Sequence, residues 1–95
     1  MQERTYAVYW SEGSGHRFAG RLAVTTACAE LVGRGEDGAA SQVRIFFEDI
    51  LGVRYNGGRL LIRPRTGVPV EIGSVDGPGA LHEAASRLRA FAAAA

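Results

Sequence analysis

The clearest structural signal in the chain is the stretch Ile50–Arg63, which reads ILGVRYNGGRLLIR. Asn56-Gly57-Gly58 interrupts it with residue types that tolerate the positive φ angles of a tight turn. Apolar residues recur at every second position on either side of the turn. They are Leu51, Val53 and Tyr55 before it, and Leu60 and Ile62 after it. Period two across a short turn predicts an antiparallel β-hairpin with one buried face.

Five further stretches continue this strand-like pattern on both sides of the hairpin. They are Thr5–Trp10, His16–Thr26, Cys28–Arg34, Gln42–Phe47 and Val68–Ile72. Aromatic and β-branched residues are frequent in them, and glycine-rich or polar segments separate them. The sequence therefore predicts seven short strands within about residues 5–73 and no parallel α/β arrangement.

The pattern changes once, near Asp76. Asp76-Gly77-Pro78 is typical of a helix start, because a carboxylate can cap the first turn and proline suits its first position. Apolar residues then recur at helical spacing, at Leu81, Ala84, Ala85, Leu88 and Phe91. We predict one C-terminal helix over about 78–92, with a narrow apolar stripe that covers an open part of the sheet.

Composition excludes several classes of protein. The 95 residues suit one domain, and no apolar run approaches the roughly 20 residues that span a bilayer. All 11 basic residues are arginine and 10 acidic residues oppose them, so no basic stripe for nucleic acid is expected. One cysteine and two distant histidines argue against disulfides and metal sites. The start of the chain lacks signal-peptide features, and we expect a cytoplasmic protein from a GC-rich bacterium.

The order of elements resembles the pleckstrin-homology (PH) superfold, including GRAM domains and bacterial PH-like domains. Three segments carry the resemblance. Gly20–Thr25 is similar to the second strand of GRAM domains, Phe47–Val53 looks like a mid-domain segment of bacterial members, and Gly79–Phe91 is similar to the terminal helix. The resemblance implies a single PH-like domain over residues 1–95. Its fold would be a mainly β, seven-stranded barrel or split sandwich of two antiparallel sheets, capped by one C-terminal α-helix.

The first loop and the strand after it are the candidate ligand site that this resemblance implies. PH domains that bind lipids hold an anionic headgroup here, and the matching positions are Ser14, His16, Arg17 and Arg21. Alternation puts Arg17 and Arg21 on one strand face. Glu12 and the absence of lysine oppose an anion site, so solvated strand-face arginines are the competing interpretation.

A second candidate surface involves Phe46 and nearby arginines. Alternation puts Phe46 and Phe47 on opposite faces, so one ring of the two points outward. An outward Phe46 beside Arg44, with Arg54 on a neighbouring strand, would form a modest protein-interaction patch. A stray surface ring and solvated arginines are the alternative.

Catalysis finds no support in the sequence. Cys28 has no neighbouring histidine in the sequence, and the serines lack the context of a nucleophile. We therefore predict no enzyme activity, no catalytic or metal-binding residues and no cofactor. The leading hypothesis is a non-enzymatic module that binds a protein or peptide, or self-associates. The alternative is weak binding of anionic lipid or phosphoinositide headgroups through the first loop.

Overall fold

The computed structural model describes residues 4–13 and 16–94 of the chain. Within them the backbone forms seven strands, a 3₁₀ turn and an α-helix. The strands are β1 (Arg4–Glu12), β2 (Arg17–Val24), β3 (Cys28–Gly35), β4 (Ala40–Phe46), β5 (Ile50–Asn56), β6 (Arg59–Pro64) and β7 (Val70–Ser74). The 3₁₀ turn Phe47–Asp49 joins β4 to β5, and the helix α1 covers Pro78–Ala94.

All seven strands belong to one antiparallel sheet with the order β4-β3-β2-β1-β7-β6-β5. Strands β1 to β4 form one meander and β5 to β7 form another. The β1–β7 ladder, from Val8 opposite Ser74 to Glu12 opposite Val70, joins the two meanders. The sheet curls into a half-barrel, so the mainly β fold class with one C-terminal helix is confirmed. Strands β4 and β5 are the two edges of this sheet.

The predicted hairpin is present between β5 and β6. Gly57 and Gly58 have φ angles of 61° and 81°, the positive values that a two-residue primed turn requires. The prediction that Leu51 shares the inner face with Val53 and Tyr55 is wrong. The register shifts between Ile50 and Gly52, and this bulge leaves Leu51 59% exposed.

Close backbone approach lets the sheet curl between β2 and β3. Gly20 and Gly33 are register partners. A Cβ added at Gly20 would collide with the Val32 carbonyl oxygen, and one added at Gly33 would collide with that of Ala19. Only glycine fits at this pair, because the obstructing atoms are backbone.

The inner face of the sheet carries the core. Alternate residues of β1 (Tyr6, Val8 and Trp10) are buried, as alternation predicts for a strand with one covered face. The other strands, the 3₁₀ turn and the helix contribute Leu22, Val24, Ala29, Leu31, Ile45, Phe47, Ile50, Leu60, Ile62, Val70, Ile72, Leu81, Ala84, Ala85 and Leu88. The apolar stripe predicted for the helix therefore packs into this core.

Helix α1 packs chiefly against β5 and also against β6, β7 and the 3₁₀ turn. The Phe91 ring stacks on the Phe47 ring at a centroid distance of 5.1 Å. On β1, the Tyr6 hydroxyl donates a 2.8 Å hydrogen bond to Glu83 Oε1. These contacts join the helix to both meanders of the sheet.

Gly20→Ala and Gly33→Ala are expected to destabilise the protein by about 3 kcal/mol or more, because the new methyl group must displace a neighbouring strand. Gly52→Ala is the matched control, since its Cβ would meet nothing within 4 Å. We expect the control to change the free energy of unfolding by less than about 1 kcal/mol. Urea unfolding measures all three variants. Equal effects at Gly20 and Gly52 would contradict the close approach of β2 and β3.

Tyr6 should make the stability depend on pH in the alkaline range. Burial, the hydrogen bond to Glu83 and the charge of Glu83 raise the pKa of Tyr6 from 10.0 to about 12. The stabilisation is complete below pH 10 and is lost as the pH rises through 12. We expect Tyr6→Phe to cost about 1 kcal/mol at neutral pH. Urea unfolding between pH 8 and 12 should show that this difference shrinks. A constant difference would contradict the raised pKa.

Candidate functional site

The free edge of β4 is the first candidate site. At one end of the β3–β4 ladder the Phe47 N–H donates a hydrogen bond to the Ala27 carbonyl. At the other end the Gly35 N–H donates one to the Ala39 carbonyl. Hydrogen-bonded pairs alternate in an antiparallel ladder, so Ser41, Val43 and Ile45 direct their backbone groups toward β3. The N–H and C=O groups of Gln42 and Arg44 therefore point away from the sheet.

These outward groups have no partner in the part of the chain that the structure describes. None of the hydrogen bonds among residues 4–13 and 16–94 reaches the backbone of Gln42 or Arg44. Unpaired strand edges are templates for another strand, and natural proteins usually shield them. Strand β4 contains no proline and no break in its register with β3.

The other edge strand, β5, differs from β4 because a side chain of α1 binds its backbone. Asn56 and Arg59 close the two-residue turn as a hydrogen-bonded pair, so Val53 directs its backbone groups toward the free edge. The Arg89 side chain of α1 donates a hydrogen bond of 3.3 Å to the Val53 carbonyl. The helix thus shields the β5 edge.

Two outward side chains of β4, those of Gln42 and Arg44, belong to a small polar cluster. Glu30 of β3 stands opposite Arg44, and its Oε2 accepts hydrogen bonds of 2.7 Å from Arg44 Nε and 2.9 Å from Gln42 Nε2. These bonds hold the pKa of the Glu30 carboxyl below its usual value, and the bond to Glu30 raises the pKa of Arg44. Arg44 is therefore fixed and locally neutralised.

Phe46 lies two residues beyond Arg44 on the same outward face, and its side chain is 43% exposed. Phe47 is buried against α1, so the prediction that one of the two rings faces outward is confirmed. Leu51, the exposed bulge residue, follows the 3₁₀ turn on β5. Two exposed apolar side chains thus flank the turn that links the two edge strands.

The third residue of the predicted patch, Arg54, lies on the other edge strand. It is exposed, and its register partner is Leu61 of β6. The patch consequently divides into an Arg44–Phe46 part on β4 and an Arg54 position on β5. Sequence reasoning missed Gln42 and Glu30. Only the β3–β4 register shows that the Glu30 carboxylate lies between the side chains of Gln42 and Arg44.

A cavity of about 400 Å³ is the second candidate site. Its lining includes Tyr9, Arg17, Phe18, Arg34, Arg59 and Glu71. Arg59 is paired with Glu71 at 2.7 Å, and Arg34 Nη1 donates to the Gly38 carbonyl at 3.0 Å. Arg17 makes no hydrogen bond or ion pair with any described residue. The volume falls within the range of small-molecule sites.

The other residues of the predicted anion site do not gather at this cavity. Arg21 is exposed on the same strand face as Arg17 but lines a separate depression of about 70 Å³ beside Glu30. His16 is exposed just before β2 and does not line the cavity. Ser14 lies outside the described residues. Arg34 is the lining arginine that the sequence reasoning missed.

The described residues contain neither a group of potential metal ligands nor a membrane-spanning helix. No three His, Cys, Asp or Glu side chains among them are grouped so that they could hold a metal ion. The helix in this part of the chain is too short and too polar to cross a membrane. Cys28 is buried and unpaired as a free thiol.

Comparisons with known proteins add no assignment. No protein-family model, curated protein or solved structure matches the chain significantly.

Proposed function

We propose that the chain is a non-enzymatic interaction module that binds a protein partner by accepting an extended segment at the free edge of β4. Main-chain hydrogen bonds to Gln42 and Arg44 would supply affinity, as in other complexes that extend a sheet by one strand. One observation carries the proposal, namely that these two outward backbone positions lack partners among the described residues.

The side chains around the edge support a selective site. Phe46 offers an exposed ring, and the Glu30 cluster holds Arg44 and Gln42 in fixed positions beside it. An incoming strand would alternate its side chains between this outward face and the inner face near Val43. A partner segment with an apolar residue facing Phe46 would therefore be preferred.

We further propose that the fold is PH-like. The two meanders joined at β1 and β7, together with the C-terminal helix that packs across β5 to β7, support this assignment. Such a fold serves lipid-binding, peptide-binding and structural modules alike, so the function is argued from the β4 edge and not from the fold.

Selection from a displayed library of random twelve-residue peptides tests the interaction. We expect enriched peptides to bind the native chain and to retain measurable binding to Gln42→Ala, because alanine keeps the outward N–H and C=O groups. Gln42→Pro should weaken binding at least tenfold, because proline removes the outward N–H while the β3–β4 bonds remain. The alanine variant is the matched control, since both substitutions lose the bond to Glu30. Equal binding to all three proteins, or no enrichment, would contradict the proposal.

Binding of an anionic headgroup is the second candidate function. The observation that favours it is that Arg17, which has no described partner, and Arg34 line the same cavity. Arginine suits phosphate oxygens because its donors form a planar fork. Glu36 and Glu71 line the cavity as well and oppose an anion, so we rank this function below strand binding.

Sedimentation with phosphatidylcholine vesicles that contain phosphatidylinositol bisphosphate tests the second candidate. The double variant Arg17→Ala/Arg34→Ala should bind about 30-fold more weakly at low salt, if each arginine contributes about 1 kcal/mol at the membrane surface. Arg21→Ala is the control, because Arg21 shares the strand face of Arg17 but lies outside the cavity. Loss of binding in the control alone, or no binding by the native chain, would reject this site.

A further inference from the structure

We propose that the segment that pairs with the β4 edge is β4 of a second copy of this chain. This inference rests on the proposed function and names its partner. It arises from the hydrogen-bonding directions of β4, which restrict how two copies can meet.

Only residues whose backbone groups point outward can form the new ladder. In β4 these are Ala40, Gln42, Arg44 and Phe46, because the residues between them bond to β3. Two copies related by a two-fold axis must therefore pair even-numbered positions with even-numbered positions. The register is then defined by the residue that lies on the axis.

The register centred on Val43 uses the whole strand. It pairs Gln42 with Arg44 of the second copy and Ala40 with Phe46 of the second copy, and each pairing occurs twice by symmetry. A large ring stands opposite a methyl group, and the charged residue stands opposite a neutral amide. Glu30 already binds both Gln42 and Arg44 within one copy, so each Arg44 meets the second copy with its charge neutralised by its own Glu30.

Neighbouring registers are less favourable. Centring the axis on Arg44 places the two Arg44 side chains directly opposite each other, and like charges there destabilise a pair of strands. Centring it on Gln42 pairs Phe46 with residue 38, which lies in the turn before β4 and outside the strand. Charge and length therefore both select the register centred on Val43.

Two properties of β4 support a second copy as the occupant. The strand is self-complementary in its longest register, with no like charges opposed. It also contains no proline or bulge, and its one charged side chain, Arg44, is paired with Glu30. An interface made by two edge strands buries little surface area, so we expect a dissociation constant on the order of 10–100 µM.

Sedimentation equilibrium over concentrations from about 1 to about 500 µM tests the proposal across that affinity range. The native chain should approach twice the monomer mass. Gln42→Ala should still dimerise measurably because it keeps the outward N–H, and Gln42→Pro should remain monomeric. Near-ultraviolet circular dichroism of Trp10 shows whether each variant is folded. A native chain that stays monomeric, or a dimer that persists unchanged in folded Gln42→Pro, would overturn the proposal.

Two further measurements remain informative if the proline variant does not fold. Val43→Cys places two thiols across the axis in a non-hydrogen-bonded pair, so mild oxidation should link the copies through a disulfide. Gln42→Cys is the control, because residue 42 faces residue 44 and not itself. In the native chain, amide protection of Gln42 and Arg44 should rise with concentration, while Val43 and Ile45 stay protected throughout. Equal cross-linking of both cysteine variants, or protection independent of concentration, would overturn the register.

The results separate this inference from the proposed function. A monomeric native chain whose β4 edge binds selected peptides overturns the second copy and supports strand binding. A monomeric chain that binds no peptide overturns both.

Discussion

The β1–β7 ladder is the interaction on which the rest of the structure depends. Strands β1 to β4 and β5 to β7 are two local meanders, and each would leave an apolar face in water if it stood alone. The ladder from Val8–Ser74 to Glu12–Val70 joins the two meanders by pairing the first strand of the chain with the last. It sets the buried residues of β1 against those of β6 and β7, and α1 then covers the core between them. Only after this long-range pairing does one continuous inner face exist.

A curled sheet that does not close must keep two edges, and this protein treats them unequally. The Gly20–Gly33 approach curls one meander, while the hairpin and its bulge shape the other. The helix shields β5 through Arg89, whereas no described group covers the outward backbone of Gln42 and Arg44. An unshielded edge is usually a liability because it invites pairing. The unshielded edge beside the exposed Phe46 is the physical reason for proposing that β4 binds a partner strand.

Ion pairs among the described residues locally neutralise three of the 11 arginines. Arg44 pairs with Glu30, Arg59 with Glu71, and Arg4 with Glu83 at 3.3 Å. Exposed pairs of this kind contribute little to the stability of a fold. Their larger effect is to fix where side chains lie, and the Glu30 cluster shows this by ordering the outward face of β4. Arg17 differs from them because it lies at the cavity without an acidic partner among the described residues.

The sequence by itself determined the local structure: the strands, the Asn56-Gly57-Gly58 turn, the apolar stripe of α1 and the outward direction of one ring of the Phe46–Phe47 pair. These follow from alternation, turn chemistry and helical spacing, which act over a few residues. The prediction from alternation failed at Leu51. A β-bulge changes which face the neighbouring side chains point to, and residue composition does not reveal that change. Sequence reasoning also grouped Arg54 with Phe46, because spacing along one chain carries no information about the lateral order of strands. Only the tertiary structure decided that β4 and β5 are the edges, that Glu30 lies between Gln42 and Arg44, and that Arg34 joins Arg17. The physical reason is that strand order and register depend on burying one shared core between segments distant in sequence.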